Sequence, residues 1–322
     1  MALFKKLTWD LSLKHYNLQK SICELKSVGV EITNRCNLQC KHCYMCSDPA
    51  SCIEATNTQE WLDFFNDLKK DFTSKVDIHI TGGEPLVRKD IFVILDHLKK
   101  LKFSLGIVTN GLLLTPEIIG KISKYTNSLS ISLDGFEESH DYLRNAPVFK
   151  ETLNNIKNIK KHGISNITIK TTVYKKNLND LKDFYVFIQE LDIDQWHLFA
   201  MEPMGRGDIN NKEILSHKEY EGLCSFVDEI KKDNNIKVIF GEQQGSSLSD
   251  KTYECSQYKL CHAGISTCAV LFNGDIVNCI QGDRNMVYGN IKKDSFKDVW
   301  DNQFKPNRKS EYRSCKNHYF DK

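Results

Sequence analysis

Hydrophobic positions along this chain alternate between two spacings. Compact apolar or β-branched runs fall at 28–33, 76–81, 104–109, 129–133, 167–173 and 195–200, each of strand length. Between them the spacing is helical. Residues 58–70 put Trp61, Leu62, Phe64, Phe65 and Leu68 on one face, and 90–101 do the same with Ile91, Ile94, Leu95, Leu98 and Leu101. Thr115 before Pro116 is a capping residue followed by proline at the first helical position. Residues 148–162 carry Phe149, Leu153, Ile156 and Ile159 and stop at Gly163, and 178–191 repeat the theme.

Six strands alternating with five helices predict an α/β fold of parallel β-α units with right-handed crossovers, as a curved partial barrel or an open doubly wound sheet. In either, ligands gather at the carboxyl ends of the strands. The unusual residues do follow the strands. A cysteine trio comes after the first, Thr81-Gly82-Gly83-Glu84-Pro85 after the second and Asn110-Gly111 after the third. Asp134-Gly135 follows the fourth, and Glu202-Pro203-Met204-Gly205-Arg206-Gly207 the sixth.

The flanks differ. Residues 1–27 have a weak helical pattern in Leu11, Leu13, Tyr16, Leu18 and Ile22, expected to pack on the main domain. A helix near 216–232 carries Tyr220, Leu223, Cys224, Val227 and Ile230 and is expected to bridge two domains. From Ile236 the chain is rich in Gly, Ser, Asn and Cys, with a hairpin signal at Asn273-Gly274 between 267–272 and 275–280 and a last helix near 296–300. The expected division is a lead-in 1–27, a barrel 28–212, a bridging helix 213–234 and a small cysteine-rich domain 235–322.

A formal charge of +2 over 322 residues, without a basic block, argues against nucleic acid as a partner. No signal peptide or membrane-length apolar window is seen, so a soluble, cytoplasmic protein is expected. That compartment disfavours structural disulfides, and twelve cysteines then point to metal or catalysis. They form two groups: Cys36, Cys40, Cys43, Cys46 and Cys52, then Cys255, Cys261, Cys268, Cys279 and Cys315, with Cys23 and Cys224 apart.

Cys36, Cys40 and Cys43 stand at C-x-x-x-C-x-x-C spacing directly after the first strand. Three thiolates in such a loop can wrap one face of an iron–sulfur cube. Four-iron clusters normally take four cysteines, so a local trio leaves one iron open. Zinc with a fourth ligand nearby, or a disulfide knot, remain the alternatives on spacing.

With this trio followed one strand later by Gly82-Gly83-Glu84-Pro85, the sequence resembles the radical S-adenosylmethionine enzymes over roughly residues 28–210. The resemblance implies a partial (β/α)6 TIM-like barrel, S-adenosylmethionine on the open iron of a [4Fe-4S] cluster, and a 5′-deoxyadenosyl radical that removes a hydrogen atom from substrate. It implies His42 beside the adenine, Gly82 to Pro85 receiving the methionine amino group, Ser132 and Asp134 at the ribose and Arg144 on the methionine carboxylate. Asn177 and the 203–207 turn would close the pocket. Cys46 is expected not to ligate, because a fourth thiolate would fill the open iron.

The second group, Cys261 through Gly274 to Cys279, resembles the extension called SPASM in full form and twitch in short form. That implies one auxiliary [4Fe-4S] cluster on Cys255, Cys261, Cys279 and Cys315; zinc on the same four thiolates is the alternative, and His318 is expected to be an exposed tail residue. Many enzymes of this build modify ribosomally made peptides, by crosslinking, epimerisation or oxidation, and others dehydrogenate small alcohols or take part in cofactor biosynthesis; a peptide substrate is expected here. The 27 residues before the first strand are too few for a fused recognition domain, so the barrel mouth or a separate protein would grip the peptide. Cys224 and Cys268 are candidate hydrogen-atom donors, and a flavodoxin- or ferredoxin-type protein the electron donor. A small-molecule dehydrogenase, acting on an aminosugar or cofactor precursor, and a non-catalytic electron carrier are the alternatives.

Overall fold

A computed structural model describes residues 2–47, 54–126, 128–233, 235–241 and 261–309. Cys52, Cys255, Cys315 and His318 lie outside the described residues. The strands are β1 Ser27–Glu31, β2 Asp77–Thr81, β3 Ser104–Thr109, β4 Ser128–Ser132, β5 Asn166–Val173, β6 Gln195–Ala200, β7 Lys237–Phe240, β8 Thr267–Val270, β9 Asp275–Val277 and β10 Gly289–Asn290. They form one sheet in the order β10-β9-β8-β1-β2-β3-β4-β5-β6-β7.

The helices are α1 Ala2–Ile22, α2 Thr58–Asp71, α3 Ile91–Lys100, α4 Pro116–Ile122, α5 Glu137–Arg144, α6 Phe149–Ile159, α7 Lys175–Leu178, α8 Leu181–Gln189, α9 Arg206–Ile209, α10 His217–Ile230, α11 Phe296–Asp298 and α12 Lys305–Lys309. Local chemistry starts several of them. Asn57 with Glu60 opens α2 in a reciprocal capping box, Ser216 with Glu219 does so for α10, and Thr115 caps the Ile118 N–H of α4. Among the described residues no helix is long and apolar enough to cross a membrane.

β1 to β7 are parallel, each beside its successor. This is the TIM-like partial barrel that the family resemblance implies, one strand longer. The seventh strand, Lys237–Phe240, is a four-residue run at the start of the Gly/Ser-rich region and gives too short a signal. The helix expected to bridge two domains, α10, is instead the crossover from β6 into β7.

Alternation along the barrel strands separates core from site. Ile78 and Ile80 of β2, and Leu105 and Ile107 of β3, join the core beside the helices. Their neighbours are small or polar, and Gly29, His79, Thr81, Ser132, Lys170 and Thr172 line an interior cavity of about 230 Å³.

The C-terminal part joins the same sheet. β8 runs parallel to β1, pairing Ser27 with Thr267 and Val28 with Cys268, and turns at Asn273-Gly274 into antiparallel β9. Gly274 has φ +91°, the left-handed backbone this hairpin needs. Phe296 packs edge-on to Phe64 of α2 at 5.4 Å. The lead-in α1 docks on this C-terminal part: Tyr16 donates to the Cys261 carbonyl at 3.1 Å and meets the His262 ring edge-on at 5.4 Å. Its buried face is Ser12, Tyr16 and Gln19, while Leu11, Leu18 and Ile22 are 55, 53 and 54% exposed, so of the apolar residues expected to pack Tyr16 does and these three do not.

Candidate functional site

Past the end of β1 the chain enters the cysteine loop, and three elements hold it. The Gly83 N–H donates to Thr33 O at 2.8 Å and the Glu84 N–H to Arg35 O at 2.8 Å, which extends the β1–β2 pairing past the last strand residues. A Cβ on Gly83 would sit 2.0 Å from Arg35 O, and one on Gly82 2.4 Å from Thr33 O. The glycines are therefore needed for the approach of two chain segments, whereas the sequence suggested the approach of a ligand. Both line the cavity. From the far side Arg206 donates to Cys40 O at 2.7 Å and Ser47 O at 3.0 Å, and Asn210 to Lys41 O at 3.0 Å. The short helix α9, in the segment that follows β6, so clamps the loop.

Cys36, Cys40, His42 and Cys43 all line the cavity. Burial pushes the Cys36 thiol up to about 12, and burial likewise raises Cys40 against the pull of Arg144. Arg144, on α5, places Nη1 3.8 Å from Cys40 Sγ and donates from Nε to Asp134 Oδ2 at 2.6 Å. His42 is held down to about 3, first by burial and then by Arg144, and its Nδ1 is buried with no hydrogen-bond partner among the described residues. Three thiols on one wall, a guanidinium against one of them and an imidazole nitrogen awaiting a partner fit a thiolate-held cluster. Its iron would offset the upward push that burial gives the thiols.

Several residues assigned from sequence stand behind this wall. Asp134 is fully buried; its Oδ1 accepts from the Thr172 N–H at 2.8 Å and its Oδ2 from Arg144. It holds the arginine and is outside the cavity lining, whereas Ser132, the other residue expected at the ribose, does line it. Asn177 is fully buried too. Its amide donates to Asp134 O at 2.9 Å and Thr172 O at 2.8 Å, and its oxygen accepts from Tyr174 N–H, which braces the turn and leaves nothing for a ligand. Glu84 accepts from Asn110 N–H at 2.7 Å, Thr109 Oγ1 at 2.9 Å and Leu86 N–H at 3.1 Å, and so pins the turn after β3; Pro85 beside it starts a single 3-10 turn.

Cys46 is exposed, has φ +53° and is absent from the lining. Neither expected hydrogen donor reaches the cavity. Cys268 is buried on β8 beside β1, and burial pushes its thiol far up. Cys224 packs in the core face of α10, outside the cavity lining, and is disulfide-bonded. Cys261 and Cys279 lie at the two ends of the β8–β9 region, half-buried. Asn110 and Glu202, which follow the third and sixth strands in the sequence, also line the cavity, as does Met201, which was not singled out; its signal is its position just after a strand end. Glu31 at the end of β1 takes a bidentate bond from Arg284 at 2.8 and 2.6 Å, which ties the segment after β9 to the barrel.

A family model for the radical SAM superfamily matches residues 30–188, and one for the SPASM iron–sulfur cluster-binding domain matches 261–318. An AdoMet-dependent heme synthase of Methanosarcina barkeri is 31% identical over 293 residues, which cover 85% of this chain and 82% of that protein. The antilisterial bacteriocin subtilosin biosynthesis protein AlbA of Bacillus subtilis is 29% identical, covering 84% of this chain and 58% of its own. Among solved structures, Streptococcus suis SuiB bound to its precursor peptide SuiA superposes with a TM-score of 0.67 at 18% identity, over 91% of this chain and 69% of that one.

Proposed function

The chain belongs to the radical SAM superfamily and carries its SPASM iron–sulfur domain, and from that premise we propose that it acts on a small carboxylated molecule by hydrogen-atom abstraction. It is a radical SAM enzyme whose cofactors are S-adenosylmethionine, a [4Fe-4S] cluster and an auxiliary cluster. When bound, these supply the electron and the hydrogen-abstracting radical.

Cys36, Cys40 and Cys43 would hold the first cluster. Asp134 keeps Arg144 turned toward Cys40; there its guanidinium would meet the carboxylate of S-adenosylmethionine, and Ser132 would offer a hydroxyl from the wall. His42, neutral by burial, would lie against the adenine. Cys261 and Cys279, with Cys255 and Cys315, would hold the auxiliary cluster, and a flavodoxin- or ferredoxin-type protein would deliver electrons.

The observation that carries the small-molecule reading is the 31% identity to a heme synthase across 82% of its length. The expectation of a peptide substrate therefore becomes the second reading, favoured by the 29% identity to the subtilosin protein. The test is 5′-deoxyadenosine formation by the anaerobically reconstituted, dithionite-reduced chain. An iron porphyrin with carboxylate side chains should stimulate it. Stimulation by peptides alone, with none by carboxylated small molecules, would sink the first reading. Iron analysis should give about eight irons per chain, and about four would remove the auxiliary cluster.

A further inference from the structure

Arg206 does more than its clamp on the cysteine loop requires. The glycine before it brings the two chain segments together: Gly205 has φ +55°, and a Cβ there would sit 2.5 Å from Tyr44 O and 2.6 Å from Cys43 O. The Arg206 N–H can therefore donate to Cys43 O at 3.0 Å, while its Nε takes Cys40 O at 2.7 Å and its Nη1 takes Ser47 O at 3.0 Å. A single residue thus fixes the carbonyls of two of the three cluster cysteines.

That clamp uses Nε and Nη1 and leaves Nη2 over. Nη2 is buried and has no hydrogen-bond partner, and Arg206 forms no ion pair among the described residues. A charged donor buried without an acceptor is costly. Arg144, by contrast, has Asp134 as its counter-charge at 2.6 Å. Arg206 lines the cavity together with Cys36, Cys40, Cys43 and His42. Its charge is felt there, since burial first, then Arg144 and Arg206, hold the His42 imidazole neutral. A guanidinium so placed calls for an anion in the cavity.

We propose that Arg206 is a positioning residue that supplies its third N–H group to the first cluster and its thiolates, and so raises that cluster's reduction potential. This rests on the assignment of the first cluster to Cys36, Cys40 and Cys43. A four-iron core on three thiolates is a net anion, and one added electron makes it more negative. A fixed guanidinium favours the reduced form, and hydrogen bonds to the sulfurs act in the same direction. The carboxylate of S-adenosylmethionine is the other anion expected in this cavity, and the experiment separates the two.

The test is a redox titration, followed by electron paramagnetic resonance, of the anaerobically reconstituted full chain without S-adenosylmethionine. Wild type is compared with Arg206→Gln and Arg206→Lys. The signal missing from a Cys36→Ala/Cys40→Ala/Cys43→Ala chain belongs to the trio. If that chain loses no signal, the cluster assignment falls and the proposal with it. Arg206→Gln should lower the trio's reduction equilibrium constant by about tenfold, which is about 59 mV for one electron, and leave the auxiliary cluster unmoved. Arg206→Lys keeps the charge and should stay within about threefold of wild type.

A wild-type potential in Arg206→Gln overturns the proposal and leaves the trio assignment standing. So does an equal shift in both variants, which would make the shape of the clamp the cause in place of its charge. If Arg206→Gln holds no trio cluster, Arg206→Lys decides: a trio signal near the wild-type potential supports the role of the charge, and loss of that signal overturns it. Affinity for S-adenosylmethionine should stay within about threefold in Arg206→Lys. A loss of about tenfold or more there, with the potential unmoved, would give the arginine to the cofactor and overturn the proposal.

Discussion

Arg144 joins the Cys40 sulfur to the Asp134 carboxylate, with Nη1 3.8 Å from the first and Nε 2.6 Å from the second. Both charged partners are buried, so the pair is worth most when kept whole. Asp134→Asn leaves the guanidinium without its counter-charge and should destabilise the chain by about 3–5 kcal/mol. It should also loosen iron retention, because Arg144 is then free to turn from Cys40. Urea unfolding and iron content of the anaerobic protein check both effects.

Arg284 and Glu31 make the corresponding link between the segment after β9 and the barrel, with Glu31 fully buried. Arg284→Met should lower stability by about 3–5 kcal/mol through the orphaned carboxylate. Adding Glu31→Gln should recover a large part of that loss. Additive single losses in this cycle would mean that the two side chains are not coupled.

Glu84 provides a pH signature. Burial, against three hydrogen-bond donors, pushes its carboxyl up to about 7. The folded chain then holds a proton that the unfolded chain releases, so this group's contribution is full below about pH 4.5 and falls as pH rises through about 7. Glu84→Gln should flatten that slope in urea midpoints. It should also cost about 1–3 kcal/mol, since an amide donor would face N–H groups that already donate.

Gly83→Ala places a methyl group 2.0 Å from Arg35 O by the wild-type geometry. The cysteine loop must move, and the expected result is a cluster that is lost on desalting while the barrel keeps its circular dichroism. Cys46→Ala, by contrast, should retain iron at the wild-type level, because that thiol is exposed and outside the cavity lining. Equal losses in the two variants would refute this assignment.

The frame was legible because the barrel strands are short apolar runs separated by stretches of helical spacing, and six of the seven were found within one or two residues of their ends. β7 was hidden by its length. The packing of α1 was misread because Leu11, Leu18 and Ile22 imply a face that the fold leaves in water, while Tyr16, with its hydroxyl on Cys261 O, directs the docking. In the site, the motif identified the cysteine wall. Position after a strand says nothing of which way a side chain faces, and Asp134, Asn177 and Glu84 proved to be braces. His79 and Lys170 interrupt apolar alternation in mid-strand; such interruptions are the sequence signal for an interior that is more than core.

The pairing of β8 with β1 sets the timing of assembly. Ser27 meets Thr267 across most of the chain, so β1 emerges from the ribosome long before its outer neighbour exists. Until then the strand that launches the cysteine loop has an open hydrogen-bonding edge, a ready template for another nascent chain. Cells making this protein quickly would therefore favour aggregates seeded at β1. Slower synthesis, or a chaperone that shields that edge, should raise the yield of chains able to take up iron.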